Sequence, residues 1–249
     1  MGIKFEIYND KSDKIYYYTH QGLGDLIACS SIVNFLSETY PEKTIFYVCQ
    51  TQKHASNVNN LIKNKNNVKL YVPKNWEDGR KTDDYDHLEY FKDLAIKNQS
   101  SLVFSGGSRY FVKKNKHWDF AFYDNIGLEY SIKYEYFYID YDEDTANKTF
   151  NKLTEGKPYI FIHDDPARGR VINIKNENNL KIVRNDKKYS IYDYIKIITN
   201  ANECHMMGSS LLCLIDFFNL NYQKCKYHFY DFRSSDVNFK DKQRWIKVR

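Results

Sequence analysis

No stretch of this 249-residue chain approaches the roughly 18 to 20 consecutive apolar residues that a membrane span requires, and Met1 to Tyr8 lacks the apolar core of a signal peptide. The chain is therefore expected in the cytoplasm. Cysteine is sparse and unpatterned. Cys29, Cys49, Cys204, Cys213 and Cys225 are odd in number, widely spaced and never in a C-x-x-C pair. Neither a disulfide framework nor a structural zinc site follows from that spacing, and most of the five sit among apolar neighbours, where a thiol packs as a small hydrophobe. Three further signatures are missing. Gly22 and Gly24 are not completed to G-x-G-x-x-G, because Ile27 stands at the third glycine's place. Neither that pair nor Gly106-Gly107 leads into Gly-Lys-Ser/Thr, and Ser105-Gly106-Gly107-Ser108 does not have the spacing of a G-x-S-x-G elbow. Dehydrogenase, ATP-hydrolysing and serine-hydrolase readings lose their support. Internal repeats and low-complexity segments are also absent.

What is present is ordinary globular composition: 42% hydrophobic, 28% charged and 17% aromatic residues. The length suits one large domain or two of about 100 to 130 residues each. A net charge of +5 is mild, and the basic residues are spread along the chain, so a nucleic-acid partner is not required. The densest basic patch, Lys113-Lys114-Asn115-Lys116-His117, reads as a solvated loop that is also compatible with anionic partners.

The run Lys14 to Thr19 reads as a buried strand leading into Gln21-Gly22-Leu23-Gly24-Asp25, then an apolar-periodic helix from Leu26 to Thr39 and a strand from Thr44 to Cys49. This β-α-β unit implies parallel strands, and apolar runs at Lys69 to Val72 and Ser101 to Phe104 continue the alternation. A second series starts after the acidic stretch Asp140 to Asp144. It runs through a helix from Glu143 to Leu153, a strand from Tyr159 to His163, a strand from Leu180 to Val183 and a helix from Ile191 to Asn200. A short segment from Glu203 to Met207, a helix from Ser209 to Phe218 and a strand from Tyr227 to Tyr230 follow, with a final strand or tail at Trp245 to Val248. The expected architecture is α/β, with domains at 1–142 and 143–249.

Three segments could carry chemistry. In Gly22-Leu23-Gly24-Asp25, two glycines allow close backbone approach to an anion or sugar at a helix start, although Asp25 could equally serve as a cap. At the end of the strand from Tyr159, His163-Asp164-Asp165-Pro166-Ala167-Arg168-Gly169-Arg170 offers two guanidinium groups whose forks match a diphosphate. Beyond Glu203 and His205, which share one face of a strand, Gly208-Ser209-Ser210 places small polar residues at a helix start. His117 and Trp118 could line an acceptor cleft together with Tyr123, or belong to the core. No metal is expected, because neither His163 nor His205 has a Cys or His at ligand spacing.

The segment from Gly22-Leu23-Gly24-Asp25-Leu26-Ile27 through Tyr40-Pro41 resembles the start of heptosyltransferase-like glycosyltransferases, and Arg168-Gly169-Arg170 is similar to the diphosphate-binding arginine regions of GT-B fucosyltransferases. The small-polar turn at Gly208-Ser209-Ser210 stands where the heptosyltransferase pattern has Asp-Thr-Gly. The resemblance implies two Rossmann-like parallel-sheet domains facing a cleft, GT-B-like. It also implies transfer of a sugar from a nucleotide-sugar donor to a glycan or other hydroxyl acceptor, with inversion, no metal and no other cofactor, as in polysaccharide biosynthesis. Asp25 would be the catalytic base. His163, Arg168, Arg170, Glu203, His205, Gly208, Ser209 and Ser210 would bind the donor, and Gly22, Gly24, His117 and Trp118 the acceptor. A non-catalytic nucleotide- or glycan-binding protein is the alternative.

Overall fold

The computed structural model describes residues 3–20, 22–74, 84–106, 119–232 and 241–248. The chain divides into two compact units, Met1–Asp140 and Tyr141–Arg249. Among the described residues no helix is long and apolar enough to cross a membrane.

The first unit runs β1 (Lys14–Tyr18), α1 (Leu23–Thr39), β2 (Thr44–Val48), α2 (Gln52–Val58), β3 (Val68–Tyr71), α3 (Asp84–Lys97), β4 (Ser101–Phe104), α4 (Phe120–Asp124) and α5 (Ile132–Glu135). Its four strands are all parallel and lie in the order β3-β2-β1-β4. Because side chains alternate across a strand, the tyrosine run of β1 serves both faces. Tyr16 and Tyr18 join Val48, Leu88, Phe91, Ala95, Leu102 and Phe104 in the layer that packs on α3. Ile15 and Tyr17 point to the opposite face and are 1% and 0% exposed. Each fully buried side chain of this size contributes about 1.5–3 kcal/mol by removal from water.

Helix α1 begins three residues earlier than its apolar pattern predicts, because Gly22 already has the extended backbone of an N-cap and Gly24 lies within the first turn. The helix is also less one-sided than expected. Ser30, Ser31, Asn34 and Ser37 are buried along with Leu26, Ile27, Ile32, Val33 and Leu36. Their polar atoms are satisfied locally or by neighbouring segments. Ser31 Oγ donates to the Lys133 carbonyl at 2.6 Å, and Asn34 Nδ2 donates to the carbonyls of Leu61 and Tyr136 at 3.0 Å each. From β2 the Tyr47 hydroxyl donates to the Leu26 carbonyl, and from α4 the Tyr123 hydroxyl donates to the Ala28 carbonyl. Tyr123 is thus a core residue, 0% exposed, and does not line an acceptor surface.

The second unit runs α6 (Glu143–Thr154), β5 (Tyr159–His163), β6 (Lys181–Arg184), α7 (Tyr194–Thr199), β7 (Glu203–Met207), α8 (Ser210–Ile215), β8 (Lys226–Tyr230) and β9 (Ile246–Val248). Its strands are again parallel, in the order β6-β5-β7-β8-β9. On one face Ile160, Ile162 and Met207 pack with Ile172, with Ile174, Leu180 and Tyr230 at the margin. On the other, the Tyr159 hydroxyl donates to the Ile197 carbonyl of α7 at 2.7 Å and Phe161 meets Tyr194. Helix α8 is shorter than its apolar run suggests. Beyond Ile215 the Phe217 and Phe218 amides bond three residues back, to the Leu214 and Ile215 carbonyls, so the turn tightens and the helix ends.

Candidate functional site

In a parallel sheet, ligands bind outside the carboxyl ends of the strands where the strand order reverses. In the first unit that point lies between β1 and β4, since β2 and β3 follow on one side of β1 and β4 takes the other. The loop leaving β1 carries His20, Gly22 and Asp25 directly from this point into α1. Asp25 stands in the first helical turn, where a carboxylate is favoured by the helix dipole. Its carboxylate folds back over Gly22, and a Cβ at position 22 would collide with Asp25 Oδ2. Glycine there is what permits this rotamer. The side chain is 18% exposed, with His20 Nε2 at 3.9 Å. Asp25 is therefore a partly shielded carboxylate at a loop-to-helix junction held by α1. Gly24 is an ordinary helical residue of the same turn. His117 and Trp118 lie outside the described residues, as does the basic patch at 113–117.

In the second unit the order reverses between β5 and β7. His163 ends β5, and Ser209 follows the end of β7 as the N-cap of α8. The two meet across the reversal: His163 Nε2 lies 2.8 Å from Ser209 Oγ, which also accepts the Leu212 amide at 3.3 Å. Burial pulls the His163 pKa down to about 4, against the opposing pull of Asp164 and Asp165, so the imidazole is neutral near pH 7. Among the described residues, its buried Nδ1 has no hydrogen bond of good geometry. The adjacent Asn185 amide is engaged by the Asp164 backbone, accepting its N–H at 2.9 Å and donating to its carbonyl at 3.1 Å. Neither nearby carboxylate reaches that nitrogen. Asp164 binds Arg184 and the Ile172 amide, and Asp165 pairs with Arg168. A hydrolase triad needs a carboxylate on Nδ1 to orient the ring, and this His–Ser pair lacks one.

The loop after His163 is a tight turn closed by reciprocal backbone bonds between Asp165 and Arg170, with Gly169 at φ +69° completing it. Arg168 Nε lies 3.4 Å from Asp165 Oδ2 on a side chain 67% exposed, so its head group is near water and only loosely held. Arg170 turns inward, and its Nη1 is buried with no hydrogen-bond partner among the described residues. Arg184, which sequence reading did not single out, fixes the base of this loop by binding Asp164 and donating to the Ile172 carbonyl at 3.1 Å. The parallel register puts Arg184 opposite Ile162, two residues before Asp164. The chain pattern alone does not show that pairing.

Gly208 leads into the Ser209 cap, and a Cβ there would meet only ordinary contact with the Phe229 ring, so the fold itself does not demand glycine. Ser210 is the first residue of α8. Glu203 and His205 do not join this group. They occupy the first and third positions of β7, opposite Ile160 and Ile162, while Met206 is the residue level with His163. The structure instead brings His228 of β8 beside His205. Sequence spacing gave His205 no ligand-type neighbour because its partner comes from another strand. The five cysteines are free, as expected, and burial pushes the Cys29 and Cys49 thiols up to about 12.

No known protein family matches the chain, and no curated protein sequence matches it. Among solved structures it is similar to a glycosyl transferase family 9 protein from Veillonella parvula, with a TM-score of 0.57, 12% identity, and coverage of 97% of this chain and 88% of that one. Escherichia coli heptosyltransferase WaaC in complex with ADP-2-deoxy-2-fluoro heptose matches at a TM-score of 0.43 and 9% identity, over 95% of this chain and 93% of that one. The chain has the α/β, GT-B-like fold of the Veillonella structure.

Proposed function

We propose that the protein is a glycosyltransferase that moves a sugar from a nucleotide-sugar donor to a hydroxyl acceptor. One observation carries this reading. In a chain with the fold of a glycosyl transferase family 9 structure, both parallel sheets present a polar group at the point where strand order reverses: Asp25 after β1, and His163 with Ser209 after β5 and β7. The first unit supplies the base and the second holds the donor. Asp25 takes the proton of the acceptor hydroxyl as that oxygen bonds to the anomeric carbon. The bond from that carbon to the diphosphate breaks, its electron pair leaves with the nucleoside diphosphate, and displacement from the opposite face inverts the centre. Arg170, Arg168 once released from Asp165, and the Ser209 hydroxyl receive the developing phosphate charge, a role for which no metal ion is required. The neutral His163 ring orients that hydroxyl.

The test is thermal stabilisation by UDP, GDP, ADP and CMP and their sugars, followed by transfer assays with the nucleotide-sugar that binds. A ligand at 100 times its dissociation constant stabilises by about 2.7 kcal/mol. Asp25→Asn should keep that stabilisation and lose transfer by roughly 10²- to 10⁴-fold. Ser209→Ala should weaken stabilisation by the donor. Unchanged turnover in Asp25→Asn would remove this residue from the mechanism, and binding without turnover in the unaltered protein would leave a binding protein.

A further inference from the structure

We propose that Glu203, His205 and His228 form a binding site for one zinc-class divalent cation that fastens β7 to β8. The site is separate from the proposed transfer chemistry. Glu203 to Met207 spans about 13 Å of extended chain, and the trio begins at the end of β7 far from Ser209.

The parallel register sets His205 directly opposite His228 and Glu203 two positions along on the same face. Neighbouring strands lie about 4.8 Å apart, so two opposed imidazoles stand side by side. Their rings are stacked, with centroids 4.3 Å apart and an interplanar angle of 7°. Glu203 Oε1 sits between the two Nε2 atoms, 2.7 Å from His228 and 3.5 Å from His205. One ligating atom from each residue lies within 4.8 Å of the others. A tetrahedral zinc ion with bonds of 2.0–2.2 Å separates its ligands by roughly 3.4 Å. The Glu203–His205 spacing already fits. The Glu203–His228 pair must open from 2.7 Å by about 0.7 Å, and both rings must rotate so that their lone pairs converge.

Burial points the same way. The His205 side chain is 7% exposed and that of His228 is 15%. Both Nε2 atoms are buried without a hydrogen bond of good geometry among the described residues. Two imidazole nitrogens and one carboxylate oxygen thus crowd one small, largely enclosed volume. The outer partner is also in place: His205 Nδ1 lies 2.9 Å from the Tyr230 hydroxyl. With Nδ1–H donating to the phenol oxygen, the ring's lone pair falls on Nε2, the nitrogen that lies 3.5 Å from Glu203 Oε1. Ile160 and Ile162 flank the trio from β5, so the surroundings are apolar. A two-imidazole, one-carboxylate donor set favours zinc, cobalt, nickel or copper over magnesium or calcium, and water completes the coordination.

The experiment uses the full chain, stripped with a chelator that is then removed, and titrated with cobalt(II). One equivalent should produce the visible ligand-field bands of a four-coordinate ion without the near-ultraviolet charge-transfer band of a thiolate, since the five cysteines are the competing ligands. Zinc should displace the cobalt and, at a hundredfold excess over its dissociation constant, raise the melting midpoint by roughly 5 to 10 °C. Magnesium should do neither. His228→Ala should abolish the signal. Glu203→Gln and Tyr230→Phe preserve shape and keep the test sound should His228→Ala misfold. The first removes the anionic ligand, and the second should weaken affinity by about 10- to 100-fold with all three ligands present. Absence of saturable binding, a thiolate band, or an unchanged signal in Glu203→Gln with Tyr230→Phe would overturn the assignment.

Discussion

Replacing His163 by glutamine removes one titrating ring from the carboxyl end of β5, and the consequence is a change in how stability depends on pH. Burial sets the folded pKa of His163 at about 4, against an ordinary value of 6.5. Between those values the unfolded chain binds a proton that the folded chain refuses. Stability therefore rises with pH through this window and is lost as pH falls from about 6.5 toward 4. For a single group with these two values, the loss between pH 7 and pH 5 is about 2 kcal/mol. Glutamine keeps a hydrogen-bonding group within reach of Ser209 but does not titrate. Urea denaturation followed by far-ultraviolet circular dichroism at both pH values should show the variant losing about 2 kcal/mol less than the parent. With a urea slope of 1–3 kcal/mol per molar, that is about a 1 M difference in how far the midpoint moves. Equal losses in the two proteins would refute the buried, neutral ring, and with it the picture of His163 as a neutral partner of Ser209.

Gly22→Ala tests how Asp25 is held. The added methyl takes the place of the Asp25 carboxylate, so turnover should fall at least tenfold while circular dichroism and donor stabilisation stay as they are; full turnover would show that the rotamer is irrelevant. Lys133→Met tests an ion pair enclosed in the first unit, where Lys133 Nζ lies 2.8 Å from Asp119 Oδ2 and the two side chains are 2% and 0% exposed. Leaving Asp119 without its cation should cost about 3–5 kcal/mol by chemical denaturation, and a loss below 1 kcal/mol would show that the enclosed pair contributes little to stability.

Much of the fold was legible because it is written in apolar runs. β1, β4 and β5 are short, apolar and bounded by polar residues, and each appears within a residue of its expected span. Helices α2 and α3 were not read, since Gln52–Val58 is short and mostly polar and Asp84–Lys97 mixes polar and apolar residues without an unbroken apolar run. The start of α1 was misplaced because two glycines in four residues look like a loop, although one caps the helix and the other sits inside it. At the candidate site, Asp25, His163 and Ser209 could be found because glycine, strand ends and small polar residues mark them locally. Arg184 and His228 could not. Each acts through a neighbour that is close only by strand register, 20 and 23 positions away from Asp164 and His205 respectively.

Two side chains of α1 bond outward to the main chain of neighbouring segments. Ser31 and Asn34 spend their side chains on main-chain carbonyls of residues 133, 61 and 136, and Asn34 Oδ1 in turn accepts the Lys63 amide at 3.0 Å. A carbonyl is the same whatever side chain its residue bears. Substitutions at 61, 63 and 136 can therefore leave these bonds untouched, whereas any apolar replacement at 31 or 34 strands a buried carbonyl or amide. For these bonds alone the tolerance is lopsided: the partner residues can change without loss of the bond as long as their backbones hold course, and Ser31 and Asn34 cannot. In a saturation library scored for folding, α1 should stand out as a short stretch where Ser31 and Asn34 are as intolerant of change as its leucines, while among their partners the exposed Lys63 accepts most replacements and the buried Leu61 and Lys133 do not.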